Sequence, residues 1–453
     1  MNKNEIVVVK IEDMSENGEG IGKVEGYTLF VKDAVLGDTV KARITKAKKN
    51  YGFARCEEIT EPSPYRVEPP CAVSRACGGC QLQALSYEKQ LEFKENKVRN
   101  CLERIGGFQD VKLRPIIGME NPLGYRNKAQ FPVGKSKDGR IITGFYAGRT
   151  HSIIEHGRCL LGSGKNEEVL HIIKQYMEEF GVSPYDEVTM QGVVRHILIR
   201  EGFHTGQIMV CIVINAAGLP NEAVLIDRLC MVSGMTSILV NINTENTNVI
   251  LGDQTRLLWG NEKIQDKIGD LVFNISAKSF FQVNSVQTTR LYERALEYAA
   301  LTGEETVWDL YCGIGTISLF LAQKAKKVYG VEIVEEAVND ARENAVENRI
   351  ENVEFFAGKA EEVVPKKLES EGLNADVIVV DPPRKGCDEK LLEAIVEIAP
   401  KRVVYISCDP ATLARDLKFL CGNGYALVEG TAVDMFPMGR HVETVVLMSR
   451  VEK

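Results

Sequence analysis

The chain has 453 residues, a formal net charge of −8, and is 44% hydrophobic and 26% charged. That length exceeds what one hydrophobic core serves, so two or three domains are expected. No apolar run reaches the roughly 18 to 20 residues that span a bilayer, and the polar start MNKNEIVVVKIEDM lacks the blocks of a secretory signal, so no membrane partner and a cytoplasmic location are expected. Twelve cysteines without an export signal point to metal binding, catalysis or burial rather than to a disulfide framework.

The segments IVVVKIEDM, SENGEGIGKVEGYTLFV and VLGDTVKARITKAKKNYGFARCEEI read as short alternating strands broken by glycines, which predicts a small barrel over residues 1–60. A nucleic-acid partner reads a local patch rather than the total charge. Lys41, Arg43, Lys46, Lys48, Lys49 and Arg55 run without an acidic residue and are interleaved with Tyr51 and Phe53, and a second basic stretch from Arg126 to Arg149 holds Asp138 as its one acid. Either stretch alone also reads as a solvated face.

Pro62, Pro64, Pro69 and Pro70 mark a linker. Cys71, Cys77 and Cys80 follow with C-x5-C-x2-C spacing, and Cys159 stands far downstream. Thiolate sets of this kind hold zinc or iron-sulfur centres, and three near ligands with one distant one favour iron-sulfur. Up to about residue 265 a helical stretch near 86–105 mixes with strands VVRHILIR, QIMVCIVIN and SILVNIN, and no chemistry is legible there.

From residue 266 the order becomes regular. The strands VWDL, VYGVE, VEFF, DVIVVD and RVVYIS alternate with helices, one of them marked by Val334, Ala337, Val338, Ala341 and Ala345 at helical spacing, which predicts an α/β doubly wound parallel sheet. YALVEGTAVDM and ETVVLMSR suggest an antiparallel pair at one sheet edge. Asp309-Leu-Tyr-Cys-Gly313-Ile-Gly315 follows a strand and opens a helix, with Ser318 at the third position of the dinucleotide pattern. Glu332, ending VYGVE, suits a carboxylate that accepts both ribose hydroxyls. NAD is the rival ligand, but nothing else in the chain supplies dehydrogenase chemistry.

Asp381-Pro-Pro-Arg-Lys-Gly386 leaves the sheet rigidly at its ligand edge, and SAKSFFQVN offers Phe280 and Phe281, either core residues or a platform for an extruded base. Cys408 lies between the strand RVVYIS and a helix, where an N-terminus favours thiolate. A thiolate there is suited to adding to carbon 6 of a uracil, which makes carbon 5 nucleophilic. A base must later remove the carbon 5 proton, and Glu443, opening the final strand, is the candidate if that strand runs antiparallel. Cys312, Cys387 and Cys421 read as buried structural residues or bystanders.

The N-terminal barrel pattern, the four-cysteine set, FFQVN, DLYCGIGT, DPPRKG, SCDPATLARD and HVET together resemble the bacterial 23S rRNA (uracil-C5)-methyltransferase family, across nearly the whole chain. The resemblance implies an α/β fold: an OB-like TRAM barrel (1–60), a mixed α+β central domain with the iron-sulfur cysteines (61–265), and a Rossmann-like class I S-adenosylmethionine (SAM) methyltransferase domain (266–453). It implies that Gln282, Tyr311, Glu332 and Asp381 contact SAM, that Cys408 is the nucleophile and Glu443 the base, that Phe280 stacks on a base, and that Cys71, Cys77, Cys80 and Cys159 bind a 4Fe-4S cluster. The transfer-RNA branch typically lacks both the TRAM domain and the cluster, so 23S ribosomal RNA is the expected substrate, transfer RNA the alternative, and a monomer the expected state. Where many methyltransferases keep an acid after glycine in the adenine loop, this chain reads Ala357-Gly358-Lys359-Ala360-Glu361. An RNA-binding factor with a vestigial fold is opposed by intact Cys408 and Glu443, and a DNA cytosine-C5 enzyme by the missing Pro-Cys segment.

Overall fold

A computed structural model describes residues 1–148 and 150–451, without the side chain of Glu371; Arg149, the last residue of the second basic stretch, lies outside the described residues. Strands Ile6–Met14, Gly20–Val24, Tyr27–Lys32, Thr39–Ala47 and Tyr51–Glu61 close into a barrel, the fifth strand lying between the third and fourth. Val9, Ile11, Leu29, Val31, Val40, Ala42 and Ile44 alternate inward and are at most 1% exposed. Gly22 is required by the tight crossing of the first two strands: a Cβ there would lie 2.2 Å from the Lys10 carbonyl oxygen. Arg66 of the linker reaches back to the buried Asp38 at 2.6 Å, which ties the proline segment to the barrel.

A seven-stranded mixed sheet occupies the middle of the chain, in the order Gln254–Gly260, Met235–Ile242, Ile208–Ile214, Val194–Glu201, Lys128–Lys135, Ile141–Tyr146 and Ile153–Glu155. Ile197, Ile199, Val210 and Ile212 face helices Lys165–Glu179 and Glu222–Cys230, while Leu198, Met209 and Cys211 face the core of the C-terminal part. Both faces are covered, so Ile208–Ile214 is apolar along its length, while Val194–Glu201 carries Arg195, His196 and Arg200 as buried polar residues.

The C-terminal part is an eight-stranded sheet ordered Val353–Ala357, Lys327–Glu332, Thr306–Leu310, Val377–Val380, Arg402–Ser407, Glu443–Arg450, Tyr425–Val433 and Leu113–Ile117. The first five strands are parallel. Helices Ser285–Ala299, Thr316–Ala322 and Glu335–Glu347 cover one face, and Ala360–Glu371, Glu389–Ile398 and Pro410–Gly422 the other. The chain winds outward from Thr306–Leu310 and then returns to Val377–Val380, so the gap between these two strands is the switch point at which such sheets bind ligands.

Two features depart from the sequence reading. The antiparallel pair is not at the edge: Leu113–Ile117 joins Tyr425–Val433 in parallel, Gly430 opposite Leu113, and forms the outer strand. Helix Tyr87–Cys101, continued by a π turn over Leu102–Gly106, packs Val98 and Leu102 against Leu413 and Leu417 of the C-terminal layer, so this segment of the expected central domain belongs physically to the C-terminal sheet. Among the described residues no helix is long and apolar enough to cross a membrane.

Candidate active site

A cavity of about 1100 Å³ opens at the switch point and is lined by Phe280, Gln282, Tyr311, Glu332, Asp381, Cys408 and Glu443 together. Every side chain singled out for cofactor or catalysis meets there. The turn after Thr306–Leu310 brings its backbone to the cavity through Tyr311 at φ 71°, Gly313 at 54° and Gly315 at 83°. At Gly315 a side chain is also excluded by space, since a Cβ would lie 2.9 Å from the Phe355 ring. Glu332 braces this turn as well as facing the cavity: its carboxylate accepts from Gly313 N at 3.1 Å and from Val334 N at 3.0 Å. Gly358, Lys359, Ala360 and Glu361, the segment that lacks the usual acid, line the same cavity. Ser318 of helix Thr316–Ala322 donates to the buried Asp309 of the sheet at 2.5 Å, so it serves the fold rather than a ligand.

The loop before Ser285–Ala299 separates its two aromatics: Phe281 is 3% exposed and sits in the core, whereas Phe280 is 71% exposed. Asn127 holds this loop by donating from Nδ2 to the Gln282 carbonyl at 2.9 Å.

Strand Glu443–Arg450 runs antiparallel to Arg402–Ser407 with Thr444 opposite Ser407, which brings Glu443 beside the carboxyl end of that strand, where Cys408 follows. Burial raises the Glu443 carboxyl to about 8, Asp381 adding to the shift and Arg384 opposing it. Burial, with Asp309 adding, raises Asp381 to about 7. The Cys408 thiol is pushed up to about 12 by burial, then by Glu443 and Asp381, with Arg384 acting the other way. The local backbone does lower the thiol, in the direction expected of a helix terminus, but burial outweighs it. The Asp409 side chain accepts from Ala411 N at 2.9 Å and Thr412 N at 3.3 Å, so the first free amides of Pro410–Gly422 are already capped by a carboxylate, and two more carboxyls crowd the sulfur.

Other cavity residues were not singled out in the sequence. Arg384 lies inside the DPPRKG motif and His441 opens HVET, so adjacency to a motif was the available signal. Burial lowers His441 to about 4, with Arg384 and Arg440 adding, which leaves a neutral imidazole near pH 7. Tyr292 offered no signal. Gly78, Gly79, Gln81 and Arg126 also line the cavity, so the cysteine segment forms part of its wall rather than standing apart from it.

Cys71, Cys77, Cys80 and Cys159 are all free and only half-buried. They feel one another: burial raises Cys77, with Cys159 and Cys71 adding, and Cys80 rises to about 11 through burial, with Cys159 and Cys77 adding. Among the described residues, however, no three His, Cys, Asp or Glu side chains are arranged to hold a metal ion. The chain thus brings the four thiols into one neighbourhood without a preformed single-ion site. Cys312 and Cys387 are buried and Cys421 is half-buried.

In the barrel, part of the basic run is neutralised. Lys41 pairs with Glu58 at 2.8 Å, Arg43 with Glu57, and Arg55 approaches Asp33 at 3.9 Å. Lys46, Lys48 and Lys49, at the turn between Thr39–Ala47 and Tyr51–Glu61, have no ion pair among the described residues. Beside them Phe30, Tyr51 and Phe53 form a cluster with ring centroids 5.6 to 5.9 Å apart.

Comparisons with known proteins agree with this geometry. The family profile of the tRNA (uracil-5-)-methyltransferases matches residues 246–451, and that of the TRAM domain residues 2–56. Proteins described as uncharacterized RNA methyltransferases from Bacillus cereus and Clostridium acetobutylicum are 51% and 50% identical, each aligned over 100% of this chain and 98% of its own length. The crystal structure of Pyrococcus abyssi tRNA (uracil-54, C5)-methyltransferase in complex with S-adenosyl-L-homocysteine is similar at a TM-score of 0.79 and 30% identity, over 97% of this chain and 99% of that one. The five-stranded barrel is thus a TRAM domain, the C-terminal sheet has the class I SAM methyltransferase fold, and the chain belongs to the SAM-dependent RNA (uracil-5-)-methyltransferase family.

Proposed function

We propose that the protein methylates carbon 5 of a uridine in 23S ribosomal RNA, with Cys408 as nucleophile and Glu443 as base. The observation that carries this reading is the convergence of Cys408, Glu443 and the glycine turn on one cavity at the sheet's switch point. SAM, when bound, supplies an electrophilic methyl group on a sulfonium; Gln282, Tyr311, Glu332 and Asp381 are the residues that would hold it. Cys408 Sγ forms a bond to carbon 6 of the uracil, and the electron pair of the 5,6 double bond moves to carbon 5 and oxygen 4. Carbon 5 then takes the methyl, and the electron pair of the broken sulfonium carbon–sulfur bond stays on sulfur, which leaves as a neutral thioether. Glu443 removes the proton that carbon 5 still carries, the 5,6 double bond re-forms, and the Cys408 bond to carbon 6 breaks. Burial pushes the Cys408 thiol up, so its proton passes to solvent in the open cavity as the bond to carbon 6 forms, and Glu443 stays free for the carbon 5 proton; Arg384 is the cation whose field favours the thiolate. Phe280 is the platform for the extruded base.

The division into a TRAM domain at 1–60, a central domain at 61–265 and a catalytic domain at 266–453 belongs to the same proposal, with helix Tyr87–Cys101 and strand Leu113–Ile117 of the central segment packed onto the catalytic layer. So does a 4Fe-4S cluster on Cys71, Cys77, Cys80 and Cys159. Its support is an all-thiol donor set gathered in one neighbourhood with no disulfide.

Ribosomal RNA is favoured by the resemblance, in which the barrel and the cysteines occur together. A transfer-RNA substrate is the second reading, favoured by one observation: the Pyrococcus transfer-RNA enzyme matches 97% of this chain, too much to omit a barrel that the TRAM profile matches over residues 2–56. The barrel by itself therefore does not separate the two substrates. Mapping 5-methyluridine by mass spectrometry in ribosomal and transfer RNA from cells with and without the protein tests the choice. Loss of a 23S site is the expected result; loss confined to transfer RNA would establish the second reading.

A further inference from the structure

We infer that Arg200 is a positioning residue for substrate RNA: it fixes the loop over residues 276–283 so that Phe280 stands in the cavity as a stacking platform. The inference rests on the reading of Phe280 as that platform.

Arg200 lies in strand Val194–Glu201 of the seven-stranded sheet and is 3% exposed. Among the described residues it has no carboxylate partner, and its buried Nε finds no acceptor. What it does have is the loop: Nη2 donates to the Ser279 carbonyl at 2.5 Å and to the Ala277 carbonyl at 3.3 Å. A buried cation without a counter-ion is unfavourable, and two neutral carbonyls compensate it only in part. This guanidinium is spent on the backbone immediately before Phe280.

The rest of the loop is fixed in the same manner. Beyond Phe280, Phe281 is anchored in the core against Phe273, with ring centroids 6.2 Å apart, and Asn127 accounts for the Gln282 and Val283 carbonyls at 2.9 and 3.0 Å. Between these fixed points Phe280 is held 71% exposed, on the cavity wall. A large aromatic kept in water by a pinned backbone gains nothing for the free protein, whereas a base extruded from RNA stacks on such a face. Pre-setting the ring removes an ordering cost from RNA binding. Arg200 acts on the Phe280 end of the loop and Asn127 on the Gln282 end, so losing the guanidinium should disturb RNA more than cofactor.

The test is a kinetic double-mutant cycle of Arg200→Gln and Phe280→Ala, with deproteinised total RNA as substrate. Each single change is expected to raise the KM for RNA about tenfold, the scale of one lost base stack, and to leave the KM for SAM within about twofold. The double variant should be no worse than Phe280→Ala by more than about twofold, because both changes remove the same interaction. An additive double variant, or a KM for SAM that rises in step with that for RNA, would overturn the inference. A defective Phe280→Ala beside a normal Arg200→Gln would overturn it alone, whereas a normal Phe280→Ala would remove the stacking reading and this inference with it. If Arg200→Gln does not fold, the cycle uses Arg200→Lys, which keeps the cation and loses the fork. Failure of both to fold would mark Arg200 as purely structural.

Discussion

Ser407 and Thr444 are register partners across two antiparallel strands. Cys408 follows the first and Glu443 precedes the second, so the pairing delivers a thiol and a carboxyl to the same edge of the sheet, where burial and then Glu443 raise the thiol's resistance to ionisation.

The Glu443 titration should be visible in both stability and rate. Its carboxyl ionises near 8 in the folded protein against an ordinary 4.5, through burial and then Asp381. A group raised on folding contributes stability that is complete below its unfolded value and is lost as pH rises through the folded one. Glu443→Gln should therefore be more stable than the unsubstituted protein by roughly 2 to 4 kcal/mol near pH 9, and by little near pH 4.5. Thermal unfolding at the two pH values checks this; an equal difference at both would contradict it. In the unsubstituted enzyme the same ionisation makes activity climb with pH toward about 8, since the base is needed without its proton.

Lys94 and Asp434 form a pair at 2.5 Å with both side chains fully buried, and Lys94 also donates to the Phe436 carbonyl at 2.9 Å. The pair holds the segment that brings Phe436 and His441 to the cavity. Lys94→Met leaves Asp434 uncompensated and should lower the unfolding free energy by roughly 3 to 5 kcal/mol, with part recovered when Asp434→Leu is added. Urea titration of the single and double variants measures both. A single variant of full stability would show that the pair contributes nothing.

The hairpin lysines should hold phosphates without reading sequence. Reversing charge at Lys46, Lys48 and Lys49 should weaken RNA binding and reduce the slope of affinity against salt by about 3, with target choice on short fragments kept. Titrations at several salt concentrations decide the matter, and a wild-type slope would mean a merely solvated surface.

Cys77→Ser or Cys80→Ser should remove iron and visible colour from the purified protein, in line with the proposed cluster. Because Gly78, Gly79 and Gln81 line the cavity, the KM for RNA should also rise while SAM affinity changes less. Unchanged iron content and activity would contradict a cluster at these residues.

Much of the C-terminal layer was legible because its signals are local: a strand of apolar residues, a glycine turn, then a helix, repeated from Thr306 to Gly422. Cys408 and Glu443 could be matched because antiparallel pairing of the last strand follows from sheet geometry. Leu113–Ile117 was illegible for the opposite reason. It is five residues long, contains Pro115, and pairs in parallel with a strand some three hundred residues later, so nothing nearby announces it. Arg200 was hidden too: its significance lies in carbonyls of a distant loop, which no spacing reveals. The protonation of Cys408 is not legible in the sequence because the helix terminus is a local signal, whereas the burial that outweighs it, and then the carboxyls of Glu443 and Asp381, come from the tertiary fold.

The covalent cycle is tested most directly by trapping it at Glu443. With Glu443→Gln, addition of Cys408 and methyl transfer can proceed, but the carbon 5 proton stays and elimination stalls. Incubated with RNA and methyl-labelled SAM, this variant should accumulate an RNA-protein adduct that survives denaturing electrophoresis and carries the label, while Cys408→Ala gives neither adduct nor methylated RNA. Rapid turnover by Glu443→Gln without adduct, or methylation by Cys408→Ala, would contradict the mechanism.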